Sequence, residues 1–273
     1  MNRLGWLLVK DKFWEAYETN RLIEEFQKQD IDIQLVDPNT IDIFVNKENK
    51  KSIVVNGLES DLPRFVFPRT GSGTTYYIKA VIRHFERMGV PIINSSDAID
   101  NVKDKLYSHQ ILAESNLDIP KTMLLKHPID VEFVEKNIGF PAIVKTISGS
   151  YGRGVFLAET KKQFKQLLSM AELTKPKYNI IVQEFIKDTW GKDLRVLVVN
   201  NKVVGCMMRQ SIESSKALNL DISGVDLLFD NGGYKICEVN SNPGFEGMEK
   251  FTGKNIAGEI VSFINLKVGM QNG

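Results

Sequence analysis

Between Trp6 and Asn94 the chain alternates short apolar runs with amphipathic stretches, and this alternation most narrows the folds open to it. Trp6 to Val9 reads as a buried strand. Phe13 to Gln29 reads as a helix carrying Leu22, Ile23 and Phe26 on one face, and Ile31 to Val36 as a second strand closed by Asp37-Pro38. Phe65 to Pro68 gives a third strand, Thr75 to Met88 a helix stopped by Gly89, and Val90 to Asn94 a fourth strand. Strands separated by helices need crossover connections, which build a parallel sheet with helices on its faces. Gly71-x-Gly73 lacks a third glycine and lies far from the first strand–helix–strand unit, so it reads as an ordinary turn and not a dinucleotide loop.

After Ser96 the texture changes. The pattern predicts a helix from Asp97 to Asn116, a strand from Lys121 to Leu125, and a helix from Asp130 to Asn137. Strands at Ala142 to Ile147 and Val155 to Ala158 follow, joined by a glycine-rich link, then a helix from Lys161 to Ala171 and a strand from Ile180 to Glu184. The last part is mostly antiparallel. Leu194 to Val199 and Lys202 to Arg209 flank Asn200-Asn201, a two-residue hairpin turn, and Val225 to Asp230 and Tyr234 to Asn240 flank Asn231-Gly232-Gly233. A helix from Ile256 to Lys267 closes the chain. The expected class is α/β, grading to α+β, in three domains over 1–94, 95–185 and 186–273.

Composition removes several functions. With 35 Lys and Arg against 34 Asp and Glu, the net charge of +1 supplies no overall field for nucleic acid or anionic lipid. An anionic ligand must be held by a local cluster. No apolar run approaches the roughly 18 residues of a membrane span, and the run from Leu4 to Val9 stops at Lys10-Asp11-Lys12, too soon for a signal peptide. The expectation is a cytoplasmic protein. Cys206 and Cys237 lie in apolar runs and read as buried, reduced thiols.

Four groups of residues suggest chemistry. Gly149, Ser150, Tyr151, Gly152, Arg153 and Gly154 could let backbone amides approach a phosphate, or form only a flexible hairpin; no Gly-Lys-Ser/Thr follows, so this is not a Walker loop. Lys145 sits mid-strand among branched apolar residues and must snorkel or meet an anion, while Lys105 reads as a second cation or a solvated helix charge. Glu238 and Asn240 share one face of a strand, and Asp226 lies on the preceding strand; acids converging this way repel unless a cation sits between them, and hard oxygen donors suit Mg2+. A three-residue loop at Asn231-Gly232-Gly233, or a bulge, is expected, because a two-residue turn pairs Asp226 with Cys237 and sends the acids to opposite faces. Finally, Glu184 and Phe185 end a strand where adenine and ribose could be met, and Arg195 and Arg209 could neutralise phosphate charge, Arg209 being the stronger candidate.

Taken together, Asp104-Lys105-Leu106-Tyr107-Ser108, Pro141 to Lys145, the glycine loop, Gln183-Glu184-Phe185-Ile186-Lys187, Gly191-Lys192-Asp193-Leu194-Arg195, Gly224-Val225-Asp226 and Glu238 to Gly247 resemble the ATP-grasp ligases, most closely the RimK-type alpha-L-glutamate ligases. The resemblance implies an ATP-grasp fold behind a pre-grasp domain. It implies that Lys105 and Lys145 hold phosphates, that Glu184 and Phe185 form the adenine hinge, and that Asp193 fixes the ribose under a glycine lid. Asp226, Glu238 and Asn240 would bind two Mg2+ or Mn2+ ions. The implied reaction makes an acyl phosphate from a carboxylate acceptor, a protein C-terminus or a small molecule, which an amino acid such as L-glutamate then attacks. Whether the chain forms a homo-oligomer stays open. A reading from another class is a synapsin-like module that binds ATP without turnover. Family members carry about 30 further residues after the position of Gln210, longer than an ordinary connection. Either this chain lacks them or the sequence as read has lost them; the second is favoured, since a strand through Arg209 could not become a helix without connecting residues.

Overall fold

The computed structural model describes residues 4–47, 53–146, 154–174, 179–189, 194–205 and 209–271. The chain divides into two compact units: Met1–Asp100, Val196–Gly224 and Asn240–Gly273 form one, Asn101–Arg195 and Val225–Val239 the other.

The first unit begins with β1 (Gly5–Leu8), α1 (Tyr17–Lys28) and β2 (Ile33–Val36). Next come β3 (Ile41–Ile43), β4 (Ile53–Val55), β5 (Leu58–Glu59), β6 (Val66–Pro68), α2 (Tyr76–Arg87) and α3 (Ser96–Lys103). A parallel sheet in the order β2-β1-β6 sets Leu7 beside Leu35 and Phe67, as the strand–helix alternation predicts. Its two faces feed two cores by simple alternation. Leu7 packs with Leu22, Phe26, Phe67 and Ile260, whereas Trp6 and Leu8 pack with Ile78, Val81, Ile82 and Phe85.

Several expectations need correction. Val90 to Asn94 is not a strand but a single bridge between Ile92 and Val66. Pro91 has no N–H to give a ladder, and Asn94 turns the chain away at φ 58°. A small antiparallel sheet, β3-β4-β5, was not read from the sequence. The helix expected from Asp97 to Asn116 is two, because Asp104 accepts from the N–H groups of Leu106 and Tyr107 and so caps a new helix, α4 (Lys105–Glu114).

The second unit continues with β7 (Thr122–Leu124), α5 (Val131–Asn137), β8 (Ala142–Thr146), β9 (Val155–Ala158), α6 (Lys161–Thr174) and β10 (Ile180–Glu184). Its sheet, β7-β10-β8-β9, is antiparallel throughout and buries Ala142, Val144 and Val182 with Phe164 and Leu168. Lys145, one residue on from Val144, points to the opposite face.

The remaining elements are β11 (Leu194–Val199), β12 (Lys202–Val203), α7 (Arg209–Ala217), β13 (Ile222–Asp230), β14 (Gly233–Asn240), α8 (Glu246–Thr252) and α9 (Ile256–Gln271). Asn200 and Asn201, at φ 47° and 57°, make the expected two-residue turn. The strand after that turn ends at Val203, however, and Arg209 opens α7 instead of closing a strand. No strand runs through Arg209 into the helix, so the premise that residues must have been lost there falls.

Asn94 ties the first unit's distant segments together. Its amide donates to Ile222 O and Ser241 O, both at 2.7 Å, its oxygen accepts from the N–H groups of Asp221 (2.8 Å) and Ile222 (3.0 Å), and its own N–H reaches Asp221 Oδ2. The side chain is fully buried, so each bond lost leaves a polar group without water. Asn94→Ala should destabilise the protein by roughly 3 kcal/mol, read as an earlier urea midpoint with an unchanged slope; an unaltered midpoint would refute the role given to this residue.

Candidate active site

Lys145, on β8, is flanked across the ladder by Ile181 and Val155. Its ammonium donates to Gln183 Oε1 at 2.7 Å and lies 3.8 Å from Cys237 Sγ; among the described residues it has no carboxylate partner. Lys105 opens α4, and its ammonium stands 3.4 Å from the Glu238 carboxylate. Arg195 makes a forked pair with Asp226, Nε to Oδ1 at 2.6 Å and Nη2 to Oδ2 at 2.8 Å. The two acids proposed as ion ligands are thus each held by one cation. Paired this way they do not face one another uncompensated.

Cys237 lies amid these groups. Burial pushes its thiol up, and Lys145, Glu238, Asp226 and Lys105 all act on it electrostatically. It is a free thiol, partly buried; Cys206 lies outside the described residues.

The loop between β13 and β14 differs from expectation. It has two residues, Asn231 at φ 46° and Gly232 at φ 81°, the conformation of a tight hairpin turn, with Gly233 already in β14. Farther along, β14 departs from a regular ladder. The N–H of Ile236 and the C=O of Cys237 would leave a regular strand on opposite edges, yet they meet Asp118 O (2.8 Å) and His109 Nε2 (3.1 Å), both in the segment formed by α4 and the turn after it. An edge strand with a bulge behaves this way.

His109 was not singled out from the sequence. Cys237 O can only accept, so Nε2 carries the proton and Nδ1 is left to meet Thr122 Oγ1 at 3.1 Å. Thr122 Oγ1 also accepts from the Gln183 amide, the same amide whose oxygen holds Lys145. Burial pulls the imidazole below its ordinary value, and Lys145 and Lys105 add to that, against the bond to Cys237 O. Lys235 was missed as well; it pairs with Glu184 and Asp230. Glu184 also accepts from the N–H of Lys121 at 2.8 Å, and Phe185 follows it at the end of β10. No sequence signal marks His109 or Lys235, because each is an ordinary polar residue until the fold brings it a partner.

Asn240 ends β14, two residues after Glu238 on the same strand. The Arg209 backbone begins α7, which removes it from the hairpin where it was expected. Gly149, Ser150, Tyr151, Gly152 and Asp193 lie outside the described residues; Gly154 precedes β9 at φ 79°. Among the described residues no group of three or more His, Cys, Asp or Glu could hold a metal ion. The donor set of two carboxylates and an amide still fits Mg2+, which takes few protein oxygens and completes its shell with phosphates and water.

A family model for the RimK PreATP-grasp domain matches residues 7–99, and one for the RimK-like ATP-grasp domain matches residues 102–215 and 210–264. The chain belongs to the RimK-like ATP-grasp family. It is accordingly an ATP-dependent ligase that forms amide bonds. A probable alpha-L-glutamate ligase of Shewanella amazonensis is 34% identical over 280 residues, covering 92% of each chain, and another from Psychromonas ingrahamii is 35% identical over 298 residues, covering 97% of each. Among solved structures, a RimK domain ATP-grasp protein from Sphaerobacter thermophilus superposes with a TM-score of 0.77 at 17% identity, covering 95% of this chain and 98% of its own. D-alanine–D-alanine ligase from Bacillus anthracis gives 0.68 at 16% identity, covering 100% and 99%. The ATP-grasp match comes in two segments that overlap at 210–215. No helix among the described residues is long and apolar enough to cross a membrane.

The depressed His109 sets a pH dependence. The unfolded imidazole takes up a proton near its ordinary value of 6.5 while the folded one resists it, so the contribution is complete above that pH and is lost as pH falls below it. Melting temperatures should fall more steeply from pH 7.5 to 5.5 in the native protein than in His109→Gln; parallel curves would refute the assignment.

Proposed function

We propose that this ligase joins an amino acid, L-glutamate in the first instance, to the carboxylate of an acceptor through an acyl phosphate, with release of ADP and phosphate. The supporting observation is the ring of charge around Cys237: Lys145 without a carboxylate partner, and Lys105 and Arg195 each on an acid that could exchange it for a metal ion. The relatives named alpha-L-glutamate ligases support the choice of amino acid.

In this reading Lys145 and Lys105 hold ATP phosphates, Glu184 and Phe185 meet adenine, and Asp193 meets ribose beneath a lid formed by Gly149, Ser150, Tyr151, Gly152 and Gly154. Asp226, Glu238 and Asn240 would hold two Mg2+ or Mn2+ ions, whose charge would offset that of the nucleotide phosphates. Arg195, released from Asp226, stabilises charge on the transferring group. An acceptor carboxylate oxygen bonds to the γ-phosphorus as the bond to the ADP oxygen breaks. The amine nitrogen then bonds to the acyl carbon, phosphate leaves, and the nitrogen gives up a proton. Positioning and electrostatics supply the rate, since little covalent work falls to the protein. The residues 1–94 serve as the pre-grasp domain, 95–185 and 186–273 as the grasp. Dependence on ATP is the support for a cytoplasmic location.

The split of the ATP-grasp match into two segments, 102–215 and 210–264, is compatible with one alternative, a module that binds ATP without turnover. A mass-spectrometric screen separates the two: protein, ATP, Mg2+, L-glutamate and the other amino acids are incubated with candidate peptide and small-molecule acceptors. Acceptors that gain glutamate establish the ligase reading. Gain of another amino acid corrects the donor, and tight ATP binding with no adduct in the full chain sinks turnover. Lys145→Ala should weaken ATP binding by about 1.5–3 kcal/mol; unchanged affinity by calorimetry in a folded variant would remove Lys145 from the site.

A further inference from the structure

Arg69 follows β6; it is partly buried, and its cation has no anion paired with it among the described residues. Its Nη2 donates to Pro243 O at 3.1 Å, and its Nη1 is buried with no hydrogen-bond partner. The guanidinium lies over the rings of Phe67 and Phe245, 5.7 and 5.9 Å from their centroids, and this holds it in place. Burial lowers its titration to about 10, with Glu18 acting the other way. Glu18 itself is engaged: its Oε1 accepts from the N–H groups of Phe245 and Glu246. An unpaired buried charge is costly enough to call for a reason.

Three further groups surround the same loops. Asn242 Oδ1 is also buried without a partner, an acceptor to set beside the free donor of Arg69. The amide of Asn242 lies close against Gly71: a Cβ there would stand 2.9 Å from Nδ2, and φ is +53°, so glycine is needed on both counts. Lys10, just after β1, donates to Gly73 O at 3.1 Å and has no acidic partner among the described residues. β1 and β6 are neighbours in the parallel sheet, and Lys10 and Arg69 both follow the carboxyl ends of these strands. Open α/β sheets bind ligands there.

We propose that Arg69, Asn242 and Lys10 form a seat for a substrate carboxylate that has an N–H donor beside it. Arg69 Nη1 and Lys10 take the carboxylate, and Asn242 Oδ1 takes the N–H. A free α-amino acid has this pair of groups, and so does the C-terminal residue of a peptide. The inference rests on the proposed ligase reading for the source of the ligand, but not for the seat's chemistry.

The test is calorimetric titration of the full chain, without turnover, using three probes: L-glutamate, an N-acetylated dipeptide ending in glutamate, and glutarate, which lacks the N–H. Arg69→Met should weaken L-glutamate or the dipeptide by roughly 10- to 100-fold, the scale of a charge-assisted hydrogen bond. Affinity for a non-hydrolysable ATP analogue with Mg2+ should not change. The probe that moves identifies the occupant. Asn242→Leu should weaken that probe and leave glutarate unchanged. Should Arg69→Met not fold, Arg69→Lys, which keeps the charge and loses the fork, should give an intermediate loss. Equal affinity for both N–H-bearing probes in folded variants overturns the proposal, as does a native protein that binds neither. A native protein that binds a probe through Arg69 yet forms no product sinks the ligase reading and leaves the seat standing.

Discussion

Asn94 is the knot of the first unit. In its left-handed backbone conformation one side chain satisfies the start of β13 and the exit from β14, and its N–H reaches Asp221. Asp221 pairs in turn with Lys267 of α9, whose ammonium also reaches Ile92 O. Segments far apart in sequence are therefore joined by a buried amide that has no water to fall back on and by a partly exposed ion pair beside it. The apolar core around Leu7, Phe67, Ile222 and Ile260 supplies attraction without direction, while the Asn94 bonds accept only one alignment of the segments they join.

The second unit handles charge differently. Its acids are not kept apart but matched, Glu238 with Lys105, Asp226 with Arg195, and Glu184 with Lys235. Lys145 instead rests on the neutral oxygen of Gln183, which is oriented through Thr122 and thereby linked to His109. Polar groups connected in this way fix one another's rotamers, and a ligand that took over one cation would be felt along the series.

The sequence disclosed those features that depend on neighbours along the chain. Alternation between β1 and α2 gave the parallel sheet, and Asn200-Asn201 gave its turn, because period and turn chemistry are local. Lys145, Asp226 and Glu238 stood out as charges in apolar settings, Lys105 only as a second cation or a solvated helix charge, and the fold brings all four around Cys237. What failed was decided by partners at a distance or by single residues with two uses. Asp104 looks like any helix charge until its carboxylate caps α4. Pro91 and Asn94 look compatible with a strand, but one lacks a donor and the other turns the chain. The length of the β13–β14 turn was misjudged because the irregularity lies farther along, where Ile236 and Cys237 meet Asp118 and His109.

The interleaving of the two units along the chain has a consequence for synthesis. The core shared by Leu7, Phe26 and Phe67 is completed by Leu197, Ile222, Phe245, Ile260 and Val268, residues synthesised much later along the chain. Until then the N-terminal strands expose the apolar face that those residues will cover. The second unit is interrupted in the same way, since Val225–Val239 follows the whole of Val196–Gly224. A chain so ordered cannot fold unit by unit as it emerges. Its nascent form must stay soluble with half a core open, a demand that falls on chaperones and on translation speed rather than on the finished enzyme.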